Sequence, residues 1–270
     1  MTNPNYSIVE NPAVLGVGGG QYLNPAVRPE DSLGFIQSRG LGDLIIALPI
    51  AHYYRLKGKT IYWPICEEFF PTMSQAAPWV NWIPMKTDPV GKFFWDSPQL
   101  ALKYIVPQDN IINLMQFLSS RPQDSDPDIF PILKFDQYKY AAAGVPFLWK
   151  WRLSECIQRD LSAEQALYTR LVKKSKYIVV HLTGSDRRID LDFSDAVQKG
   201  YQVIEIQEGL TANAFNWLKI LEGAEALYLL DSCFANMVDQ LDLGADKTFI
   251  RRSKMDLTPV LGSDWSYMSP

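Results

Sequence analysis

The sequence predicts an α/β protein made of two Rossmann-like halves, and three observations carry that expectation. Short apolar runs of strand length alternate with longer stretches whose apolar residues recur at helical spacing. The alternation stops in a proline-rich segment near the middle of the chain and then begins again. Hydrophobic residues make up 47% of the 270 positions, enough for a sizeable core in each half. Strands separated by helices are parallel neighbours, because a parallel pair needs a long crossover, and the sheet they form is covered on both faces. Two such halves imply an N-terminal domain over residues 1–150 and a C-terminal domain over 151–270, facing one another across a cleft, with ligands at the carboxyl ends of the strands.

Residues 1–32 are rich in Asn, Pro and Gly. Their run Gly16-Val17-Gly18-Gly19-Gly20 resembles a phosphate loop in composition only, since Gln21-Tyr22-Leu23-Asn24-Pro25 does not start a helix and supplies no dipole for an anion. An extended surface segment is expected there. The βα rhythm starts with LGFIQS (33–38) and a helix over 42–58, GDLIIALPIAHYYRLKG, which Pro49 is expected to interrupt. TIYWPI (60–65), WVNWIPM (79–85) and IINLM (111–115) read as further strands. Between about Gln116 and Phe147 prolines and the acids Asp124, Asp126 and Asp128 mark an irregular region. Trp149 to Lys176 reads as helical. The second series follows as YIVVHL (177–182), YQVIEIQ (201–207), the helix NAFNWLKILEGA, EALYLLDS, the helix CFANMVDQLDL and KTFIRRS.

Composition removes several classes of function. Net charge is −4, with 12 basic against 13 acidic residues up to position 150 and 14 against 17 after it, so neither half is a basic nucleic-acid domain. Cys66, Cys156 and Cys233 are odd in number and widely spaced, which predicts reduced thiols and no zinc site. His52 and His181 are the only histidines, too few for a histidine metal cluster and poor material for a histidine-dependent triad. No run of 18 apolar residues and no leader-like start is found, so a soluble cytoplasmic protein without a membrane span is expected.

Three places could carry chemistry. In SRGLGD (38–43) the glycines, Gly42 among them, let the backbone turn and approach a ligand, but Ile45 stands where a dinucleotide fingerprint needs its third glycine. Asp43 there is either a helix cap or a carboxylate aimed at the cleft. In TGSDRR, Thr183, Gly184, Ser185, Arg187 and Arg188 offer hydroxyls, backbone N–H groups and guanidiniums suited to phosphate, or else a polar loop whose arginines pair with Asp190 or Asp192. Asp231 and Ser232 close a strand and open a helix, where they cap it or present its N-terminus to a sugar or diphosphate. The D-x-D triplets at 124–128 and 190–192 occur often by chance, and no metal site is assigned.

GLGDLIIALP, KFDQYKYAAAGV, TGSDRR and DSCFANMVDQL together resemble, in content and order over roughly residues 33–250, the heptosyltransferase-like glycosyltransferases of glycosyltransferase family 9, which have the GT-B fold. The late D-[ST]-G-x-x-H motif of that family has Cys233 for its glycine and Asn236 for its histidine here, and Arg187 or Arg188 replaces a usual lysine. The resemblance implies inverting, metal-independent transfer of a sugar to a hydroxyl, with a nucleotide-sugar as co-substrate and no other cofactor. Asp43 would be the base, Arg187, Arg188 and the helix start at Ser232 would meet the leaving diphosphate, and Glu208 would contact the ribose. The acceptor is a glycan or small molecule. An alternative acceptor is a hydroxylated base in DNA, met by aromatic and basic residues including Tyr138, Lys139 and Trp149. A non-catalytic nucleotide-binding protein of the same fold is a further alternative.

Overall fold

The computed structural model describes residues 29–87, 98–115, 133–184, 187–207, 209–252 and 259–269. The chain divides into two compact units, Met1–Lys150 and Trp151–Pro270.

In the first unit, strands β1 (Ser32–Ile36), β2 (Thr60–Cys66), β3 (Asn81–Met85) and β4 (Ile111–Asn113) form a parallel sheet in the order β3-β2-β1-β4. Six consecutive residues of β2, Ile61 to Cys66, are buried, as expected of a strand covered on both faces. Helix α1 (Leu41–Leu56) follows β1 directly, and every residue from Leu44 to His52 is buried. The expected interruption at Pro49 does not occur. Proline cannot donate to the carbonyl one turn back, but here it lies within that unbroken buried run, and packing on both sides carries the helix through it. Trp63 stacks on Trp82 and meets Phe35 at a tilt, with centroid separations of 5.2 Å each. The short helices α2 (Phe70–Ala76) and α3 (Pro98–Lys103) come next.

Helix α4 (Phe135–Ala142) packs on α1. Tyr140 donates its hydroxyl to the Ile46 carbonyl at 3.0 Å, and Tyr54 of α1 donates to the Ala143 carbonyl at 2.6 Å. Behind α4, Lys150 and Asp136 pair at 3.0 Å with both side chains 0% exposed.

The second unit opens differently from the single helix expected over Trp149–Lys176. Two 3-10 pieces separated by a kink at Trp151 and Arg152 make up Phe147–Glu155, and α5 (Leu161–Leu171) starts afresh after Asp160, whose carboxylate accepts the Ala163 N–H at 2.9 Å. An aspartate that satisfies an orphan amide favours a helix start over a helix interior. Strands β5 (Tyr177–His181), β6 (Gln202–Glu205), β7 (Ala226–Leu230), β8 (Asp246–Ile250) and β9 (Trp265–Met268) form a second parallel sheet in the order β6-β5-β7-β8-β9. All five residues of β5 are buried. The connecting helices are α6 (Ser194–Gln198), α7 (Leu218–Glu222, preceded by a 3-10 turn over Ala214–Trp217) and α8 (Cys233–Gln240). Arg159 holds α5 to α7 through ion pairs with Glu164 and Glu222. Among the described residues no helix is long and apolar enough to cross a membrane.

Candidate functional site

The turn from β1 into α1 is built around Gly40, which has φ +76° and serves as the helix N-cap residue. Asp43 is therefore the third residue of the helix, an acid in its first turn, while the N-cap residue itself is a glycine with no side chain to bond. A Cβ at Gly40 would stand 2.7 Å from Asp43 Oδ2, so this glycine gives both the left-handed turn and the space for the carboxylate. Gly42, singled out from the sequence, lies inside the first turn of α1 and lacks the positive φ that Gly40 has. The loop before the helix is pinned to β2: Trp63 Nε1 donates to the Gln37 carbonyl at 2.8 Å, and the Cys66 N–H donates to the Ser38 carbonyl at 3.0 Å. Burial pushes the Cys66 thiol up to about 12, which makes it an inert part of that support.

Lys139 comes to this turn from α4. Its ammonium lies 3.1 Å from Asp43 Oδ1 and also donates to Gln37 Oε1 and, at 3.4 Å, to the Leu114 carbonyl. This corrects the acceptor-side assignment of Lys139: it is a buried partner of Asp43 and not an exposed cation for an acceptor's phosphates. Tyr140 and Lys150 are also buried. Trp149 packs edge-on against Tyr53 of α1 with centroids 4.9 Å apart, and Tyr138 is half-buried on α4.

In the second unit, β5 leads into a tight hairpin. Thr183 and Arg188 form an antiparallel bridge, and the Gly184 N–H donates to the Arg187 carbonyl at 2.8 Å. The amide expected to cradle phosphate thus closes its own turn. Arg188 donates to Thr183 Oγ1, to Glu205 at the end of β6 and to Asp190, so its charge is matched by two carboxylates. Asp192, the other half of that D-x-D, accepts the backbone N–H and the hydroxyl of Ser194, which hold its carboxyl below the usual range. The two acids have separate local tasks. Arg187 is exposed. Ser185, Glu208 and the Asp124–Asp128 acids lie outside the described residues.

Ser232 occupies the N-cap position of α8, as the sequence indicates, but its hydroxyl does not cap the helix. It meets His181 Nδ1 at 2.9 Å instead. His181 ends β5, packs edge-on against Phe234, and has its pKa pulled down to about 4 by burial, against a smaller opposing effect of Glu205. The ring is neutral at pH 7. Asp231 donates its N–H to the Ile250 carbonyl, which fixes the strand-to-helix turn. Turning Ser232 toward His181 leaves the first turn of α8 without a side-chain cap, at the carboxyl ends of β5 and β7 where ligands of parallel sheets bind. Cys233 beside it is half-buried and in no disulfide. Gln37, His181 and Glu205 are the contributors that sequence reasoning missed. Among the described residues, no group of three or more His, Cys, Asp or Glu side chains could hold a metal ion.

Two successive parallel α/β sheets of this kind define the GT-B class of fold. Solved structures agree. The chain is similar to the ADP-heptose LPS heptosyltransferase II of E. coli, with 13% identity over 88% of this chain and 89% of that one and a TM-score of 0.59. It is similar to the glycosyl transferase family 9 protein of Veillonella parvula, with 11% identity over 88% and 86% and a TM-score of 0.55. It is also similar to the E. coli heptosyltransferase WaaC with ADP, with 12% identity over 88% and 93% and a TM-score of 0.52. The fold is therefore that of the heptosyltransferase-like enzymes. No protein-family model matches the chain, and no curated protein matches it by sequence.

Proposed function

We propose that the protein is a glycosyltransferase that moves a sugar from a nucleotide-sugar to an acceptor hydroxyl, with inversion and without a metal ion. The observation that carries the reading is Asp43: a carboxylate in the first turn of the helix after β1, with one oxygen paired to Lys139 and a side chain 37% exposed. In this reading Asp43 Oδ2 accepts the proton of the acceptor hydroxyl as its oxygen bonds to the anomeric carbon. The bond from that carbon to the diphosphate breaks on the opposite side, and its electron pair leaves with the nucleoside diphosphate. A single displacement inverts the anomeric configuration. In this reading the amides at the start of α8, together with Thr183, Asp231, Ser232 and Arg187, meet the departing phosphates, fixed donors doing what a divalent cation does elsewhere. Arg188 is held back by Glu205 and Asp190 and contributes through the shape of the hairpin.

Solved structures of this fold include heptosyltransferases bound to ADP and to ADP-sugars, so an adenosine diphosphate sugar is the first donor to try. The test follows release of nucleoside diphosphate from a panel of nucleotide-sugars in chelator, with wild type and Asp43→Asn. Turnover that survives the chelator and falls at least a hundredfold in the variant is expected. No turnover with any donor, or an undiminished variant, overturns the proposal.

A further inference from the structure

We infer that Lys139 is a positioning residue for the reaction: from inside the first unit it fixes Asp43 Oδ1 so that Oδ2 is held toward the acceptor. This rests on the reading of Asp43 as the base.

The geometry around Lys139 is a tripod. The Lys139 ammonium donates to Gln37 Oε1 and, at 3.4 Å, to the Leu114 carbonyl, and Asp43 Oδ1 is its ion-pair partner at 3.1 Å. Each acceptor is itself anchored. Gln37 donates Nε2 to the Arg39 carbonyl at 2.9 Å, and its own carbonyl accepts from Trp63 of β2. Leu114 follows β4 and donates its N–H to the Ile36 carbonyl of β1. The lysine therefore ties the carboxylate to three strands of the sheet. From the other side, Oδ2 lies where only a glycine at position 40 leaves room. Both oxygens have a defined place.

A comparison within the same unit separates this pair from a purely structural one. Lys150 and Asp136 are both 0% exposed, and neither has a face for a ligand. Lys139 is 6% exposed while Asp43 is 37% exposed: the cation is hidden and the carboxylate reaches the surface. Burying an ammonium is costly unless it is paired and hydrogen-bonded, and Lys139 has an ion pair and two hydrogen bonds while the paired carboxylate stays accessible. An acceptor hydroxyl becomes acidic as its oxygen bonds to carbon, so the oxygen that receives the proton needs correct placement above all. A misplacement near 1 Å can cost about a hundredfold in rate.

The test measures kcat and donor KM for Lys139→Met, Lys139→Arg and Gln37→Met beside Asp43→Asn, each normalised to the folded fraction from circular dichroism. Lys139→Met is expected to lower kcat about ten- to hundredfold with donor KM unchanged. Lys139→Arg, which keeps a hydrogen-bonding cation, restores most of that loss. Gln37→Met removes one leg of the tripod without touching Asp43, lowers kcat by a smaller factor, and keeps the test decisive if Lys139→Met does not fold. Loss in Asp43→Asn with full kcat in Lys139→Met, or in Gln37→Met where Lys139→Met does not fold, overturns the positioning role alone. A parallel rise in KM overturns it as well. An unimpaired Asp43→Asn overturns the base assignment beneath it.

Discussion

Acidification should weaken the second unit through His181, and the size of the effect follows from its burial. In the folded protein the ring is 8% exposed and its pKa falls from the ordinary 6.5 to about 4. Between those values the unfolded chain binds a proton on this side chain that the folded chain does not. Unfolding free energy therefore rises with pH through that window, at up to about 1.4 kcal/mol per pH unit, and the whole contribution is about 3 kcal/mol. It is fully present above about pH 6.5, declines as pH falls, and is gone near pH 4, where the folded ring protonates too. Carboxylates also titrate toward the low end, so the decisive measurement is a difference. Urea unfolding of wild type and His181→Asn is followed from about pH 7 to about pH 4.5, the asparagine keeping a polar group toward Ser232 without a titration. The wild type should lose about 2–3 kcal/mol more than the variant over that range. Parallel profiles would refute the burial reasoning and with it the neutral state of the His181–Ser232 pair.

Two stability predictions concern the first unit. Asp136→Asn withdraws the carboxylate that the wholly buried Lys150 faces and should cost about 3–5 kcal/mol in urea unfolding, whereas the double variant Asp136→Leu/Lys150→Met should cost less than that single change. Gly40→Ala should cost more than Gly58→Ala: both have positive φ, which penalises alanine by about 1–2 kcal/mol, but only Gly40 has a carboxylate oxygen 2.7 Å from the added carbon. Unfolding midpoints check the difference, and equal midpoints would mean that Asp43 moves aside freely.

The βα order of both sheets was legible because a strand buried on both faces must be apolar at every position. Tyr177 to Leu182 could be little else. What the sequence hid were elements whose residues bear no such constraint. Helix α6 has five residues and none is buried. Strand β9, WSYM, lies at the sheet's edge with Ser266 and Tyr267 exposed. The break before α5 was hidden for another reason: apolar residues continue at helical spacing across it, and only the cap made by Asp160 shows that a new helix begins. In the phosphate-like loop, composition identified a polar turn but could not tell whether the Gly184 N–H faces a ligand or its own Arg187 carbonyl, since both need the same residues.

The site was half legible for a related reason. Asp43 stands out because strand, turn and helix are contiguous, but its partner arrives from a distant helix. The His181–Ser232 contact likewise joins residues 51 apart, which is why two histidines looked too few to matter. Lys139 and Lys150 look alike in sequence, each a lysine flanked by aromatic residues. Both are buried, and it is the exposure of their carboxylate partners that separates them. Excluding water strengthens the attraction between two charges but costs the hydration of both, so burial does not by itself make a pair stabilising. Lys150–Asp136 is closed to water on both sides, whereas in the Lys139–Asp43 pair only the cation is hidden. An acid in the first turn of a helix is favourable by the dipole alone, so the exposure of Asp43 fits both a stabilising and a reacting carboxylate, and it is the kcat of the Lys139 and Gln37 variants, set beside their folded fractions, that separates the two.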